Sequence, residues 1–414
     1  MLTKYVPQRY AQALLKHVVA VSLFIPYIYS KTNNVWYPDF ILANAFAILT
    51  MITIITSWKL EFKKNGIFLA GLGILLLAYN IVSTYMNYKY HHWYGEQINT
   101  TICFLFFMLL LMVKDSHALF DNTFLRSVIH MMVSCNVLAI GYRLVTDQNR
   151  IMFLNNYVRL DKYTGEHAPQ YSWVYIHKSQ YAVILIICIA FCVVYRKLFR
   201  NMFTYLLSLG ALLFALYLSD TYTSMASATL IFIGLLFDYL WKAKWCKKLL
   251  ASIGLGIPGI IFYINLYNKI GTERNLLSLG YRKYIWTASW KTIINNPNGL
   301  IDFVMGGDKY GIYMDELGMT MYNVNAHNVF LNQMLRFSIP VGGIFLGLIT
   351  ALFLFSLKRK PNFLTLGIWG ALFIPWCMDY SLTSAETTIF LLAVYCLFFV
   401  DTKMSVKHKT TSAL

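Results

Sequence analysis

The chain has 414 residues, of which 58% are hydrophobic and only 13% are charged, and its formal net charge is +17. A mean hydropathy of +0.54 leaves more apolar surface than a soluble fold of this length can bury, so composition excludes a soluble globular protein. The cations lie between apolar stretches, where membrane topology accounts for them, and we therefore expect no nucleic-acid partner.

Apolar stretches long enough to cross a bilayer recur along the whole chain. A transmembrane helix needs roughly 17 to 25 apolar residues, and stretches without period-2 alternation satisfy their backbone groups in lipid only as helices. We predict an all-α polytopic membrane protein of about twelve helices, forming one membrane domain over residues 1–414. The predicted spans are 14–30, 38–57, 66–86, 98–113, 127–145, 179–195, 201–218, 225–241, 249–266, 328–356, 362–378 and 387–401.

Basic residues mark every second connection between these spans. Lysine and arginine follow spans 2, 4, 6, 8 and 10, and they also occur near both ends of the chain. Because short cytoplasmic connections collect cations, both termini are predicted to be cytoplasmic. The outer connections are longer or more polar, so we expect function on the outer face.

The longest outer connection, residues 268–326, contains a predicted helix over 278–295. Arg282, Trp286 and Trp290 recur at four-residue spacing, which places a guanidinium and two indoles on one face of that helix. Guanidinium groups bind phosphate oxygens in pairs, and flat indoles suit sugar rings. We predict diphosphate binding by Arg282 and sugar stacking by the two tryptophans; the alternative is an interfacial aromatic belt with Arg282 at lipid headgroups.

His327 and Asn328 lie where this connection ends and span 10 begins. We expect Asn323 or Asn325 to cap the helix, leaving its first N–H groups free to face an anion such as a diphosphate. His327 would stand in that first turn. The alternative is a histidine at the level of the lipid headgroups.

A polar seam continues down span 10. Asn328, Asn332 and Arg336 follow at four-residue steps, and polar residues in a membrane helix face the bundle interior or a wet cavity. We favour a cavity, with Asn328 and Arg336 binding the diphosphate. The alternative is a hydrogen-bond seam that only fixes helix packing.

These segments, in this order, resemble the superfamily of bacterial O-antigen ligases and O-antigen or capsular polysaccharide polymerases. The resemblance rests on two motifs separated by a proline and glycine turn: Gly280-Tyr281-Arg282-Lys283-Tyr284-Ile285-Trp286, and Ala326-His327-Asn328-Val329-Phe330-Leu331 opening a span. The layout is similar too, with the largest outer loop between helices 9 and 10. The motifs cover about residues 279–343, and the layout covers the whole chain.

The resemblance implies a GT-C-like, metal-independent glycosyltransferase without a cofactor, in the inner membrane of a bacterium. Its donor would be a glycan on undecaprenyl diphosphate, and its acceptor a second glycan or lipid A-core. A flippase and a chain-length regulator are expected partners, besides the membrane lipids. His327 would be the catalytic residue, accepting a proton from the attacking hydroxyl, and Arg282 would stabilise the departing diphosphate.

The chain departs from the family pattern at two places. Ser338 and Val341 stand where ligases have two glycines. At the outer end of span 8, where ligases have a serine or threonine followed by an arginine, this chain reads Ser219-Asp220-Thr221-Tyr222-Thr223-Ser224-Met225, without a cation. Candidate cations to replace that arginine are, in order of the chain, Arg143, Arg159 and Lys178, of which we carry Arg159 and Lys178 as phosphate-binding residues.

Three functions stay open. The departures favour a repeat-unit polymerase, and a ligase is the alternative. A lipid-linked sugar transporter or flippase is a third candidate, but the spans contain almost none of the carboxylates that ion-coupled carriers use. Most cysteines also lie in apolar spans, so no metal site is predicted.

Overall fold

The computed structural model describes a bundle of apolar helices and part of one outer connection. The described residues are 5–24, 38–61, 67–68, 70–75, 77–78, 94–146, 171, 173, 175, 178–242, 282–294, 311–314, 319–322, 326–336, 339–378 and 386–400.

Helices account for most of these residues. The α-helices are α1 (Tyr5–Phe24), α2 (Pro38–Ser57), α3 (Tyr94–Met112), α4 (Ser116–Leu119), α5 (Asn122–Thr146), α6 (Lys178–Val194), α7 (Met202–Leu218), α8 (Tyr222–Lys242), α9 (Arg282–Ile294), α10 (Val329–Arg336), α11 (Ile339–Arg359), α12 (Phe363–Met378) and α13 (Glu386–Val394). A 3₁₀ turn (Arg196–Leu198) follows α6, and a π-helix (Tyr395–Phe399) follows α13. Strands β1 (Gly311–Met314) and β2 (Met319–Tyr322), which the sequence did not predict, pair antiparallel with Gly311 opposite Tyr322.

Most predicted spans coincide with helices. Spans 38–57, 201–218 and 362–378 match α2, α7 and α12 to within one residue at each end, whereas span 249–266 lies outside the described residues. Within the described part of the chain, Asn122–Thr146, Tyr222–Lys242 and Gly342–Arg359 are long and apolar enough to cross a membrane, and six shorter apolar helices accompany them. The structure therefore supports a helical membrane protein, while the number of twelve spans stays a prediction.

The prediction of one continuous helix over 328–356 is wrong. The chain forms two helices there, α10 and α11, and Pro340 in the first turn of α11 explains the interruption. Proline has no N–H to continue a helix, and in a continuous helix its ring would clash with the carbonyl four residues earlier, that of Arg336 at the end of α10. The two helices fold against each other. This is shown by Gly342 of α11, where an added Cβ atom would lie 2.2 Å from Cγ of Met334 in α10. Along one straight helix, residues eight apart are about 12 Å apart.

Helix α6 forms the centre of the bundle. Every residue from Tyr181 to Val193 is buried, because α5, α7, α8, α12 and α13 pack around it. A helix that is apolar on all sides can be buried in protein or exposed to lipid, and packing decides that here in favour of burial.

The backbones of α8 and α12 are in direct contact. A Cβ atom on Gly367 would lie 2.2 Å from the carbonyl oxygen of Leu230, which leaves no room for any side chain at this position. The Asp238 carboxylate then accepts hydrogen bonds from the backbone N–H groups of Phe363 (2.8 Å) and Leu364 (3.0 Å) at the start of α12. Small residues and a helix-end cap thus hold this pair together.

Long-range hydrogen bonds link connections that the charge pattern predicts on the same side. At one end, Arg126 Nε donates to the carbonyl of Leu198 (3.1 Å), and Lys360 Nζ donates to that of Leu397 (2.7 Å). At the other end, Trp173 Nε1 donates to the carbonyl of Leu23 (3.1 Å). The helix ends that these bonds join are therefore paired as the basic connections predict, while the end that faces the cytoplasm stays a prediction.

Candidate functional site

His327 occupies the junction between the outer connection and α10. Its backbone φ is +49°, in the left-handed region that few side chains adopt, although histidine enters it more often than most. The residue is half-buried, and its Nδ1 atom is inside the protein. The predicted catalytic histidine is therefore held in an unusual backbone conformation by its surroundings.

Asn328 is the residue that caps α10. Its side-chain Oδ1 accepts hydrogen bonds from the backbone N–H groups of Phe330 (3.0 Å) and Leu331 (3.1 Å). The expectation that Asn323 or Asn325 is the cap is therefore wrong; both lie outside the described residues, and Asn328 directly precedes the helix. The prediction of free N–H groups at the helix start is wrong for the two that Asn328 already satisfies.

Asn332 faces the junction from one turn further into α10. It is 2% exposed, and its Oδ1 atom accepts a 2.8 Å hydrogen bond from the backbone N–H of Ala326. The oxygens of Asn328 and Asn332 thus bond backbone N–H groups at the start of α10 itself, so these bonds belong neither to a cavity nor to a seam between helices. Diphosphate binding by Asn328 and Arg336 stays a prediction; the Arg336 side chain lies outside the described residues.

Helix α9 contacts the same junction through Trp286. The Trp286 indole N–H donates a 3.0 Å hydrogen bond to the carbonyl oxygen of Ala326. Trp290, one turn later, is 47% exposed and keeps its ring at the surface. Trp286 therefore has a protein partner that the sugar-stacking prediction did not foresee, while Trp290 has the exposure that stacking requires.

Arg282 is the first residue of α9, one turn before Trp286. Helical spacing places the two on the same face of α9. The Arg282 side chain lies outside the described residues, so diphosphate binding by Arg282 stays a prediction. What the structure adds is that the helix beginning with Arg282 is bonded directly to the peptide that precedes His327.

Lys178 lies at a different turn, one that the charge pattern predicts on the outer side. Its Nζ atom donates a 3.0 Å hydrogen bond to the carbonyl of Asp220 and lies 3.7 Å from the Asp220 carboxylate. Asp220 is in the turn between α7 and α8, the place where ligases of the resembled family have an arginine. The structure thus places Lys178 at the turn where the resemblance predicts a cation, with its ammonium group paired to Asp220. Arg159 lies outside the described residues.

Three buried aromatic residues, Tyr171, Trp173 and Tyr175, precede α6, and the sequence gave no clear sign of their role. Tyr175 donates a 2.6 Å hydrogen bond to the carbonyl of Ser22, so with Trp173 it satisfies carbonyl groups in the last turn of α1. The Arg143 guanidinium lies 5.7 Å from the ring centre of Tyr171. Burial raises the pKa of Tyr171 to about 12, so this phenol stays neutral at physiological pH. Arg143 and Lys178 are thus both engaged with protein groups.

Two structural findings and one comparison with known proteins concern the candidate site as a whole. Within the described residues, no group of three or more His, Cys, Asp or Glu side chains is placed to hold a metal ion. The structure brings together Trp286, Ala326, His327, Asn328 and Asn332. Ala326 was not predicted as a site residue, and Asn332 was predicted only as part of the polar seam of span 10. No protein-family model matches the chain, and a search of curated proteins finds no similar sequence.

Proposed function

We propose that this chain is a membrane glycosyltransferase of surface-polysaccharide assembly, acting as a repeat-unit polymerase on glycans carried by undecaprenyl diphosphate. The supporting observation is the junction itself: His327 stands just before α10, and the carbonyl of the preceding residue, Ala326, accepts a hydrogen bond from Trp286 of the helix that opens with Arg282. The motif resemblance gives this pairing a chemical interpretation. Without the motifs, the same junction would fit a structural histidine.

The proposed reaction transfers a saccharide from the diphosphate to a hydroxyl. His327 accepts the proton of the attacking acceptor hydroxyl, whose oxygen forms a bond to the anomeric carbon. The bond from that carbon to the diphosphate oxygen breaks, and the departing undecaprenyl diphosphate keeps the electron pair. Arg282 meets the negative charge that develops on the leaving group. Lys178 would bind a phosphate of the diphosphate, and Trp290 would stack on a sugar ring.

Transport is the weaker alternative. Asp238 is a carboxylate within the predicted spans that could bind a coupling ion, and the structure gives it another role. Both carboxylate oxygens of Asp238 are engaged by N–H groups at the start of α12. A carboxylate that caps a helix is poorly suited to bind and release an ion in each cycle.

The first test replaces His327 by alanine. We expect the turnover number to fall by about 10²- to 10⁴-fold, the contribution of a general base, while the protein inserts at its normal level. His130→Ala, an exposed histidine on α5, is the matched control and retains activity. The readout is the ladder of glycan lengths on a gel. An unchanged ladder with His327→Ala contradicts the proposed role.

Deleting the gene separates the three functions. Loss of a polymerase leaves single repeat units on the final anchor, whereas loss of a ligase leaves long chains on the lipid carrier. Loss of a flippase strands the repeat unit on the cytoplasmic face. Only the first outcome agrees with the polymerase proposal.

A further inference from the structure

The peptide groups around Ala326 are held from both sides. The Ala326 N–H donates to Asn332 of α10, and the Ala326 carbonyl accepts from Trp286 of α9. Ala326 is fully buried, and Asn332 is 2% exposed, so water competes poorly for either bond. Hydrogen bonds from two helices, α9 and α10, thus fix the residue immediately before His327.

These two hydrogen bonds restrict φ of His327, the torsion angle that orients its side chain. The Ala326 carbonyl belongs to the peptide plane whose rotation defines φ of His327, and the Trp286 indole fixes that plane. On the other side, Asn328 caps α10 and fixes the chain that follows. A histidine at φ +49° is strained, and such a conformation persists only where the surroundings determine it.

We infer that Trp286 and Asn332 are positioning residues, which hold the His327 ring in its working orientation by clamping the Ala326 peptide groups. The part of this inference that concerns catalysis rests on the proposed function. The same clamp joins His327 to α9, so a ligand held at the start of α9 and the histidine keep a fixed relation. Trp286 acts through its N–H group and not through sugar stacking.

The structural half of the test is hydrogen exchange, measured by mass spectrometry on the purified full-length protein. We expect Trp286→Phe, which keeps an aromatic ring but loses the donor, to raise exchange in a peptide covering residues 326–331 by roughly fivefold to tenfold. Trp290→Phe, the same change on the exposed ring one turn away, leaves that exchange as in the wild type. Equal exchange in the wild type and Trp286→Phe overturns the inference.

A second position gives a conservative rescue. Asn332→Leu removes the acceptor for the Ala326 N–H and is expected to raise exchange there by at least as much as Trp286→Phe. Asn332→Asp keeps an acceptor oxygen at the same place and is expected to restore most of the protection. If Leu and Asp behave alike while the protein stays folded, the clamp is not what protects Ala326.

The catalytic half is read in steady-state kinetics with a lipid-linked glycan donor. A positioning role predicts a lower kcat with an unchanged KM for Trp286→Phe, whereas loss of a stacking platform raises KM. A raised KM with an unchanged kcat overturns the positioning role. If the wild type transfers no glycan, the proposed function fails, and the exchange experiments still decide whether the clamp holds residue 327.

Discussion

Asn328 and His327 are adjacent, yet the structure gives them different tasks. Asn328 ends the left-handed bend and supplies the acceptor that α10 needs, while His327 carries the ring that the bend presents. An asparagine is among the best residues for capping a helix, so its presence beside the histidine has a structural explanation. In the His-Asn pair, the histidine thus supplies the proposed reactive group and the asparagine supplies the helix cap.

The double interpretation of Asn328 can be resolved by substitution. Asn328→Asp keeps the cap, because aspartate caps helices as well as asparagine does, but it places a negative charge where a diphosphate is predicted to bind. We expect thermal stability to be kept and the KM for the donor to rise severalfold. A donor KM equal to that of the wild type would remove Asn328 from the diphosphate site.

Asn328→Ala is the complementary change. Loss of the cap is expected to cost about 1 kcal/mol and to raise hydrogen exchange in the first turn of α10. Asn328→Ser, which restores a capping oxygen, is its control. Equal exchange in the Ala and Ser variants would show that the cap contributes little.

At the scale of elements, the contact between α8 and α12 is the closest described approach of one backbone to another at a glycine. Gly367 faces the carbonyl of Leu230 with no space for a Cβ atom. Backbone atoms cannot rotate away as a flexible side chain can, so the helices themselves would have to move apart.

Gly367→Ala is therefore expected to destabilise the protein by about 1–3 kcal/mol, the usual cost of overpacking. Gly210→Ala on α7 is the matched control, because no atom lies within 4 Å of a Cβ atom at this position. There the substitution is neutral or slightly stabilising, as alanine forms helices more readily than glycine. Thermal unfolding in one detergent compares the two, and equal unfolding temperatures would contradict this account of the contact.

The break between α10 and α11 shows how a local residue and a long-range contact act together. Pro340 interrupts the helix, and Gly342 lets the second helix approach Met334 of the first. This fold-back places α10 against α9 and α12, with Phe330 packed 5.5 Å from the ring of Phe373. The start of α10 is thereby fixed relative to the bundle.

At the scale of the whole molecule, the two ends of the bundle have different chemistry. Arg126 and Lys360 satisfy backbone carbonyls at one end, whereas buried aromatic side chains and the Lys178–Asp220 pair connect elements at the other. Membrane proteins keep lysine and arginine in their cytoplasmic connections, which gives the polarity that we predict.

Cysteine labelling tests this polarity. In a variant without the natural cysteines, Lys291→Cys on α9 is expected to react with a membrane-impermeant maleimide in intact spheroplasts. Lys242→Cys, the matched exposed lysine at the far end of α8, is expected to react only after permeabilisation. The reverse pattern would place His327 on the cytoplasmic side and remove the proposed access to an outer lipid-linked glycan.

The sequence by itself determined the class of protein, most helix positions and the junction where a histidine meets a helix. These properties follow from hydropathy over some twenty residues and from local spacing, which a linear pattern contains in full. The helix predicted over 278–295, of which the structure describes 282–294, and the ends of α2, α7 and α12 were predicted for this reason. The π-helix at the end of the bundle and the β1–β2 hairpin left no comparable pattern.

Only the tertiary structure decided what surrounds the histidine. Hydropathy assigns the same transfer free energy to a helix in lipid and to one inside protein, so the burial of α6 was not readable. The bond between Trp286 and Ala326 joins residues 40 positions apart, and its existence depends on how α9 and α10 pack. Asn332 likewise depends on the folded chain. Helix α10 begins at Val329, directly after its cap Asn328, and this start places Asn332 one turn into the helix, where its oxygen accepts the hydrogen bond of the Ala326 N–H.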